Sequence, residues 1–306
     1  MIKINELNCD LKNSVITMGT FDGVHLGHQK LIKEVVKRAK KNKTKSVVIT
    51  YEKHPLETLN LVTYPYILTE KKDKELLIKQ LGVDCIVYLK FNKEMAEMSP
   101  EAFLENVLIK HINPKEIVFG YDTHFGKGRS GDYNFLKLKE KKYSYKSDII
   151  QPFKIDGEIV SSSIIRKLIK LGKVKSAEKL LGRPYNLSGI VVHGKAIGRK
   201  IGFPTINISQ KIRYKLNPKT GVYVTKVYAK GKSFLSVTSI GKSPTLKDSL
   251  SNNIETHILD VDEDFYNEKV KLEFIDFIRN EMKFDSVDKL IKAISNDIQY
   301  AREFYE

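Results

Sequence analysis

"MGTFDGVHLGH", Met18 to His28, follows the run Val15-Ile16-Thr17 and precedes a stripe of apolar residues at helical spacing. A strand that leads through glycines into a helix is where α/β proteins hold phosphates, because the unpaired N–H groups of the first helical turn and the helix dipole both favour anions. Gly19, Gly23 and Gly27 fit neither GxGxxG nor GxxxxGK[ST], so the generic dinucleotide and P-loop readings fail. The stretch offers instead His25-Leu26-Gly27-His28, two imidazoles flanking a residue without a side chain. Such a pair suits charge stabilisation during attack at an α-phosphate. A polar turn with surface histidines would explain a lone histidine, but it explains "GTFDGVHLGH" after a strand poorly.

Working outward, β-branched runs at 15–18, 46–51, 84–89 and 116–120 alternate with amphipathic patterns, as in a doubly wound, Rossmann-like α/β domain. Leu31, Ile32, Val35, Val36 and Ala39 predict one apolar helix face. Leu76, Leu77, Ile78 and Leu81 predict a second helix, closed by Gly82. After "LLGRPYNLSG" (180–189) the texture changes to period-two strands separated by Gly, Pro and Asn: "GIVVHG", "GVYVTKVYA", "SFLSVTSIG", "ETHILD" and "KVKLEFIDFI". This predicts a small antiparallel β-barrel. A last helix is expected to open at Asp285-Ser286, with Val287, Leu290, Ile291, Ile294, Ile298 and Ala301 on one face. The expected domains are therefore 1–183 and 184–306, divided near Arg183-Pro184.

The 306 residues, 41% hydrophobic and 29% charged, suffice for two cores. No window approaches the run of about 20 apolar residues that spans a bilayer. "MIKINELNCD" lacks the apolar middle of a signal peptide, so the expected address is the cytoplasm, with no membrane partner. Cys9 and Cys85 have neither CxxC spacing nor nearby His/Cys clusters and read as ordinary residues of a reducing compartment. The net charge of +16 is uneven, with 34 Lys+Arg against 22 Asp+Glu in 1–183 and 19 against 15 in 184–306. Much of the excess lies in surface-type segments such as "KRAKKNKTK" (37–45) and "KLKEKKYSYK" (137–146). Anionic small molecules would be drawn in as well as nucleic acid, and no nucleic-acid partner is expected. The rival from another class is a regulator that binds RNA or DNA, betrayed by steep salt dependence.

A second candidate site opens the barrel half, "GKAIGRKIGFPTIN", Gly194 to Asn207. Gly194, Gly198 and Gly202 at intervals of four, with Lys195 and Arg199 among them, could wrap amides and cations around a polyphosphate. Thr205 and Asn207, two apart on an extended strand, share a face and can both offer oxygen to Mg²⁺. A plain turn and strand is the competing reading. Gly241-Lys242-Ser243 mimics the end of a Walker A loop, but the leading position, 236, is Ser, which rules that out.

"GTFDGVHLGH", "YEKHP" (51–55), "GYDTHFGKG" (120–128) and "SSSIIR" (161–166) together resemble the adenylyltransferase module of bacterial FAD synthetases, members of the HxGH nucleotidyltransferase superfamily. The resemblance implies that His25 and His28 contact ATP phosphates, and that Gly19, Phe21, Asp22 and Gly23 form the approach loop. It implies Ser162, Ser163 and Arg166 as the second phosphate-binding motif, toward the leaving pyrophosphate, and His54, Asp122 and Phe125 on the flavin side. This chain has Thr20, Lys53, Thr123, His124 and Ser163 where the family usually has Asn or a similar residue, Pro, an aromatic, Arg and Thr.

"GKAIGRKIGFPTIN", "GVYV" (221–224), "SIGKSPT" (239–245), "ETHILD" (255–260) and "FIRNEMKF" (277–284) likewise resemble the riboflavin kinase module fused to those synthetases. That resemblance implies that Thr205 and Asn207 bind Mg·ATP and that Glu255 is the general base for the flavin's terminal ribityl hydroxyl. Ser239, Ile206 and Leu246 stand where Asn, Ala and an aromatic are common. The implied chemistry is ATP-dependent phosphorylation of riboflavin to FMN, then AMP transfer from a second ATP to give FAD and pyrophosphate. Mg²⁺ would serve both steps, with His28, Arg166 and Glu255 as catalytic residues.

Overall fold

Val15–Met18, buried at all four positions, forms β1, and its two neighbours decide where a ligand can sit. The computed structural model describes residues 11–304 apart from 60, 62–65, 195, 211, 213 and 243–251. Packing divides it into two units, one of residues up to 162 and one from 163 onward together with Tyr66.

In the first unit β1 leads to α1 (Leu26–Lys41), β2 (Ser46–Tyr51), α2 (Pro55–Thr58), α3 (Lys71–Gln80) and β3 (Cys85–Leu89). α4 (Lys93–Ala96) and α5 (Pro100–Phe103) follow, then β4 (Glu116–Gly120), α6 (Tyr133–Tyr143), β5 (Lys146–Ile150) and the hairpin strands β6 (Lys154–Ile155) and β7 (Glu158–Ile159). The five longer strands make a parallel sheet in the order β3-β2-β1-β4-β5. The order reverses between β1 and β4, where Val15 pairs with both Ser46 and Glu116. The loops after β1 and β4 therefore diverge at a topological switch point, the crevice where open α/β sheets bind ligands.

All four expected strands are present, and the five-residue stripe of α1 is the set of residues that α1 buries. In α3 the expected helix is present and its apolar residues divide: Ile78 is buried, Leu77 and Leu81 are partly buried, and Leu76 is 57% exposed. Three consecutive residues about 100° apart cannot share one face. Lys74 takes the second fully buried position of that helix. Strand β5 was not expected because it lies at the sheet edge and, of its five residues, only Ser147 is buried. Cys85 is a core residue and is disulfide-bonded, which corrects its reading as an ordinary thiol; Cys9 lies outside the described residues.

The second unit holds most of α7 (Ser162–Lys170), then α8 (Val174–Leu181) and a closed six-stranded barrel. Its strands are β8 (Tyr185–Val192), β9 (Ile206–Ser209), β10 (Gly221–Ala229), β11 (Lys232–Lys242), β12 (Asn252–Ile258) and β13 (Lys269–Arg279), in spatial order β10-β11-β12-β9-β8-β13. Closure leaves no free edge. The short α9 (Ile197–Lys200) bridges β8 and β9, and α10 (Val287–Glu303) ends the chain's regular structure. Four buried hydroxyls inside the barrel satisfy one another: Thr225 reaches Ser236 and Thr238 at 2.7 Å, and Thr238 reaches Thr256 at 2.9 Å. The packing division at 162/163 arises because α7 and α8 close on the barrel. Lys219 N–H donates to the Ile169 carbonyl at 3.2 Å, and α8 packs against β8 and β13. The change of sequence texture falls later, near Arg183-Pro184.

Ser286 caps α10 as expected, accepting from Lys289 N–H at 3.3 Å. The predicted apolar face is corrected at its start: Val287 is 57% exposed, and the helix is anchored toward its C-terminal end by Ala301 and Ile298. It is also held by charge. Arg279 of β13 meets buried Asp297 through Nε at 2.9 Å and Nη2 at 2.7 Å, a two-pronged geometry that fixes orientation. Asp297→Ala removes one partner of a part-buried pair, and because Arg279 keeps some solvent access the expected loss is about 2 kcal/mol, below the roughly 3–5 kcal/mol of breaking a fully buried pair. Denaturant unfolding of the full chain checks this. A change within error would mean that α10 is held by apolar contacts alone.

Candidate active sites

The first site begins with how α1 starts. His25 is its N-cap, with extended backbone (φ −69°, ψ 170°), and its Nδ1 accepts the His28 N–H at 3.3 Å. An imidazole nitrogen that accepts carries no proton, so neutral His25 bears its proton on Nε2. The two rings stack with centroids 3.6 Å apart and planes 18° from parallel. Gly27 leaves room for this ring. A Cβ there would sit 3.2 Å from both Cε1 and Nδ1 of the His25 ring and 3.5 Å from the Val160 carbonyl.

The approach loop is fastened from several sides. Phe21 is 2% exposed, its ring lies 3.3 Å from where a Gly19 Cβ would be, and it meets His28 edge-on at 5.2 Å. Gly19 N–H donates to Ile49 of β2. Asp22 is 4% exposed, and its carboxylate accepts the N–H groups of Leu68 and Thr69 at 3.0 Å, while its carbonyl accepts the Ser162 hydroxyl at 2.8 Å. Phe21, Gly23 and Val24 all have positive φ, and at Val24, β-branched at φ 38°, that stores backbone strain of roughly 1–3 kcal/mol. Such a conformation persists only where its surroundings over-determine it.

The other expected residues divide. Ser162 opens α7 with its hydroxyl proton given to Asp22, and Ser163 is exposed. Arg166 is 7% exposed in the second unit, its guanidinium stacked 3.8 Å over Tyr66 and its Nε donating to the Tyr66 carbonyl at 3.0 Å. His54 caps α2, its Nδ1 accepting from Leu56 N–H at 3.2 Å. In the loop after β4, Asp122 and His124 are exposed, and His124 Nδ1 lies 2.9 Å from the Asp122 carbonyl and 3.2 Å from Arg129. Phe125, by contrast, is 4% exposed among Phe103, Phe119 and Phe135. It supports that loop from the core.

In the barrel, Glu255 pairs with Asn207 across β12 and β9 and with Ser239 across β11, so these side chains share one face of the wall. Asn207 lies so close to the Gly194 backbone that a Cβ there would come within 2.0 Å of its Nδ2. Gly198 is likewise closed in by the Phe203 carbonyl and by Thr205 Oγ1, at 2.3 and 3.4 Å from a Cβ position. Gly202 turns the chain with φ 86°, Arg199 is exposed, and Lys195 lies outside the described residues, as does Leu246. Glu255 Oε1 accepts from Asn253 at 2.6 Å. His257 donates from Nδ1 to the Pro204 carbonyl at 2.7 Å, anchoring the turn that carries Thr205.

Two candidate sites thus stand out, a helix start with paired imidazoles and a barrel strand pair that sets Glu255 opposite Asn207, with Thr205 just before β9. Residues 8–164 match the FAD synthetase family, and residues 181–305 match the riboflavin kinase family. Bifunctional riboflavin kinase/FMN adenylyltransferases are similar over nearly the whole length. That of Buchnera aphidicola subsp. Schizaphis graminum is 38% identical over 96% of this chain and 94% of its own, and that of Escherichia coli K12 is 35% identical over 95% and 92%. The chain belongs to the bifunctional riboflavin kinase/FMN adenylyltransferase family. A solved structure described as a macrolide-efflux protein from Streptococcus pneumoniae is also similar, 34% identical with TM-score 0.84 over 95% of this chain and 94% of that one. Among the described residues no helix is long and apolar enough to cross a membrane.

Against the family pattern, sequence reasoning missed the residues that hold the loops: Lys74 behind the approach loop, Thr50 beside it, and His257 under the Pro204 turn. Only "ETHILD" pointed toward the last. Gly27→Ala separates stability from positioning in the adenylyltransferase half. It raises helix propensity by about 0.5–1 kcal/mol, yet its methyl pushes the His25 ring by a few tenths of an ångström. The expected outcome is an unchanged or raised Tm with FAD formation down about tenfold, on the scale by which small misplacements cost rate. Full activity would show that the His25 ring position is not critical.

Proposed function

We propose that the two candidate sites divide two ATP-dependent steps, with the working boundary near Arg183-Pro184. The barrel phosphorylates riboflavin to FMN, and the α/β half adenylylates FMN to FAD. The observation that carries this reading is that the FAD synthetase match, 8–164, contains His25 and His28, and the riboflavin kinase match, 181–305, contains Thr205, Asn207 and Glu255.

In the barrel, Glu255 takes the proton of riboflavin's terminal ribityl hydroxyl as that oxygen attacks the γ-phosphorus of ATP, and the bond to ADP breaks. Gly194, Lys195, Gly198, Arg199 and Gly202 line the polyphosphate, the glycines letting backbone approach it closely. Thr205 and Asn207 fit Mg²⁺, because they are neutral oxygen donors on half-buried positions beside a glycine turn, and this ion usually takes one or two protein oxygens together with phosphate. When bound, Mg²⁺ supplies neutralisation of phosphate charge.

In the α/β half, an FMN phosphate oxygen attacks the α-phosphorus in line, and pyrophosphate departs with the bonding pair. His25 and His28 donate hydrogen bonds where negative charge accumulates, His25 through Nε2 because Nδ1 is engaged in the cap. Gly19, Phe21, Asp22 and Gly23 shape the loop, with Phe21 and Asp22 acting as its anchors. Ser162, Ser163 and Arg166 are assigned to the pyrophosphate. His54 and Asp122 are assigned to the flavin side, with Phe125 supporting them from the core. The partners are small molecules, with no nucleic acid, and the working compartment is the cytoplasm.

The test is a paired assay in which each variant receives riboflavin in one reaction and FMN in another, both with Mg·ATP. His28→Ala should lower FAD formation by about 10²-fold or more and leave riboflavin phosphorylation nearly unchanged. Glu255→Gln should lower phosphorylation by about 10²-fold or more and spare FAD formation. A variant that damages both steps equally would contradict the division.

A further inference from the structure

Lys74 is 8% exposed, an unusual place for a lysine, and its surroundings are oxygen. Its Nζ lies 3.2 Å from the Thr20 carbonyl, 3.1 Å from Thr50 Oγ1 and 3.2 Å from the Tyr51 carbonyl. An ammonium has three N–H donors, and here three acceptors meet it. Thr50, fully buried at the end of β2, gives its own hydroxyl proton to the same Thr20 carbonyl at 3.1 Å. Thr20 stands between Gly19 and Phe21, in the segment that leads to His25. The helix that carries Lys74 is also tied to that segment by Asp22, which holds Leu68 and Thr69 just before α3 begins. The loop and α3 are therefore joined twice, once by a carboxylate and once by an ammonium.

We propose that Lys74 is a positioning residue for adenylyl transfer: its ammonium fixes the Thr20 carbonyl and so the loop presenting His25 and His28, which makes FAD formation depend on the protonation of Lys74. The proposal rests on the assignment of His25 and His28 to that step. A neutral amine keeps two N–H donors, so on deprotonation one of the three oxygens loses its partner and the loop loosens.

The titration falls within reach. Burial pushes Lys74 down to about 8; Asp22 of the loop opposes this, and Lys71 of the same helix adds to it. Of the other groups that face it, the Tyr88 phenol is pushed up to about 12 by burial and stays neutral throughout. Lys71 lies 4.5 Å over the Tyr88 ring and 3.6 Å from Glu52, which leaves its charge partly balanced. A lysine with a lowered value loses its proton as pH rises through that value, so the positioned loop is present below about pH 8 and lost above it.

The experiment measures kcat and KM for FAD formation from FMN and Mg·ATP between about pH 6.5 and about pH 9.5, using the full chain. Riboflavin phosphorylation by the same preparations is followed in parallel. For the unaltered protein, kcat for FAD formation should fall about tenfold through an inflexion near 8 that riboflavin phosphorylation does not share. Lys74→Met should be about tenfold slower at neutral pH and lack the inflexion. Thr50→Val removes one acceptor from the ammonium and should move the inflexion to lower pH. An unaltered protein whose FAD formation is level across the range overturns the proposal without any variant, and so does Lys74→Met with the inflexion intact. If Lys74→Met does not fold, the unaltered profile and Thr50→Val decide. Should His28→Ala retain FAD formation, the site assignment beneath the proposal falls, which is a distinct result.

Discussion

The hydrogen bond from His28 N–H to His25 Nδ1 is the constraint on which the arrangement of the α/β half depends. It closes the first turn of α1, fixes the tautomer of His25 and brings the two imidazoles into a stack. It also sets the demands on neighbouring positions. Gly27 is crowded by the capping ring, so a side chain there would shift it, and Phe21, buried, supports His28. The chain reaches this turn through positive φ at Phe21, Gly23 and Val24, a costly path that three anchors secure: Ile49 holding Gly19, Asp22 holding Leu68 and Thr69, and Lys74 with Thr50 holding Thr20. A strained loop over-determined by its surroundings is a preorganised one, and preorganisation is what charge stabilisation in phosphoryl chemistry requires.

The barrel solves a similar problem by other means. Its Gly194 to Asn207 region is shaped by close backbone approach, Gly194 under Asn207 and Gly198 under Thr205. The carboxylate of Glu255 is brought beside Asn207 by strand register alone, so a slip of one residue in the β9–β12 pairing would send it to the opposite face. Closure of the barrel and the buried hydroxyl chain through Thr225, Ser236, Thr238 and Thr256 oppose such a slip. Each half thus carries its own rigidity, consistent with two reactions that share only ATP and a flavin.

Much of the fold was legible because burial on both sheet faces leaves unbroken β-branched runs, and β1, β2, β3 and β4 were read from them with the α1 stripe. The edge strand β5 was not, because only Ser147 of its five residues is buried. At the candidate sites, motif and resemblance singled out His25, His28, Thr205, Asn207 and Glu255, and the structure stacks His25 on His28 and sets Glu255 opposite Asn207. The supporting residues escaped because no local pattern marks them. Lys74 reads as one more surface lysine until Thr20, Thr50 and Tyr51 are folded around it. Phe125, expected on the flavin side, packs among core aromatics, and Asp22, expected in the approach loop, spends its carboxylate on backbone N–H groups. Residue type signals chemistry, but whether that chemistry faces a ligand or the protein is settled by contacts distant in sequence.

The most direct test of the account is the protonation state of His25, read from the nitrogen chemical shifts of histidine-labelled full-length protein with and without a non-hydrolysable ATP analogue and Mg²⁺. The account predicts that Nδ1 of His25 is unprotonated in both states and that the analogue perturbs Nε2, the nitrogen left to donate to phosphate. A proton on Nδ1, or a His25 signal indifferent to the nucleotide, would contradict it.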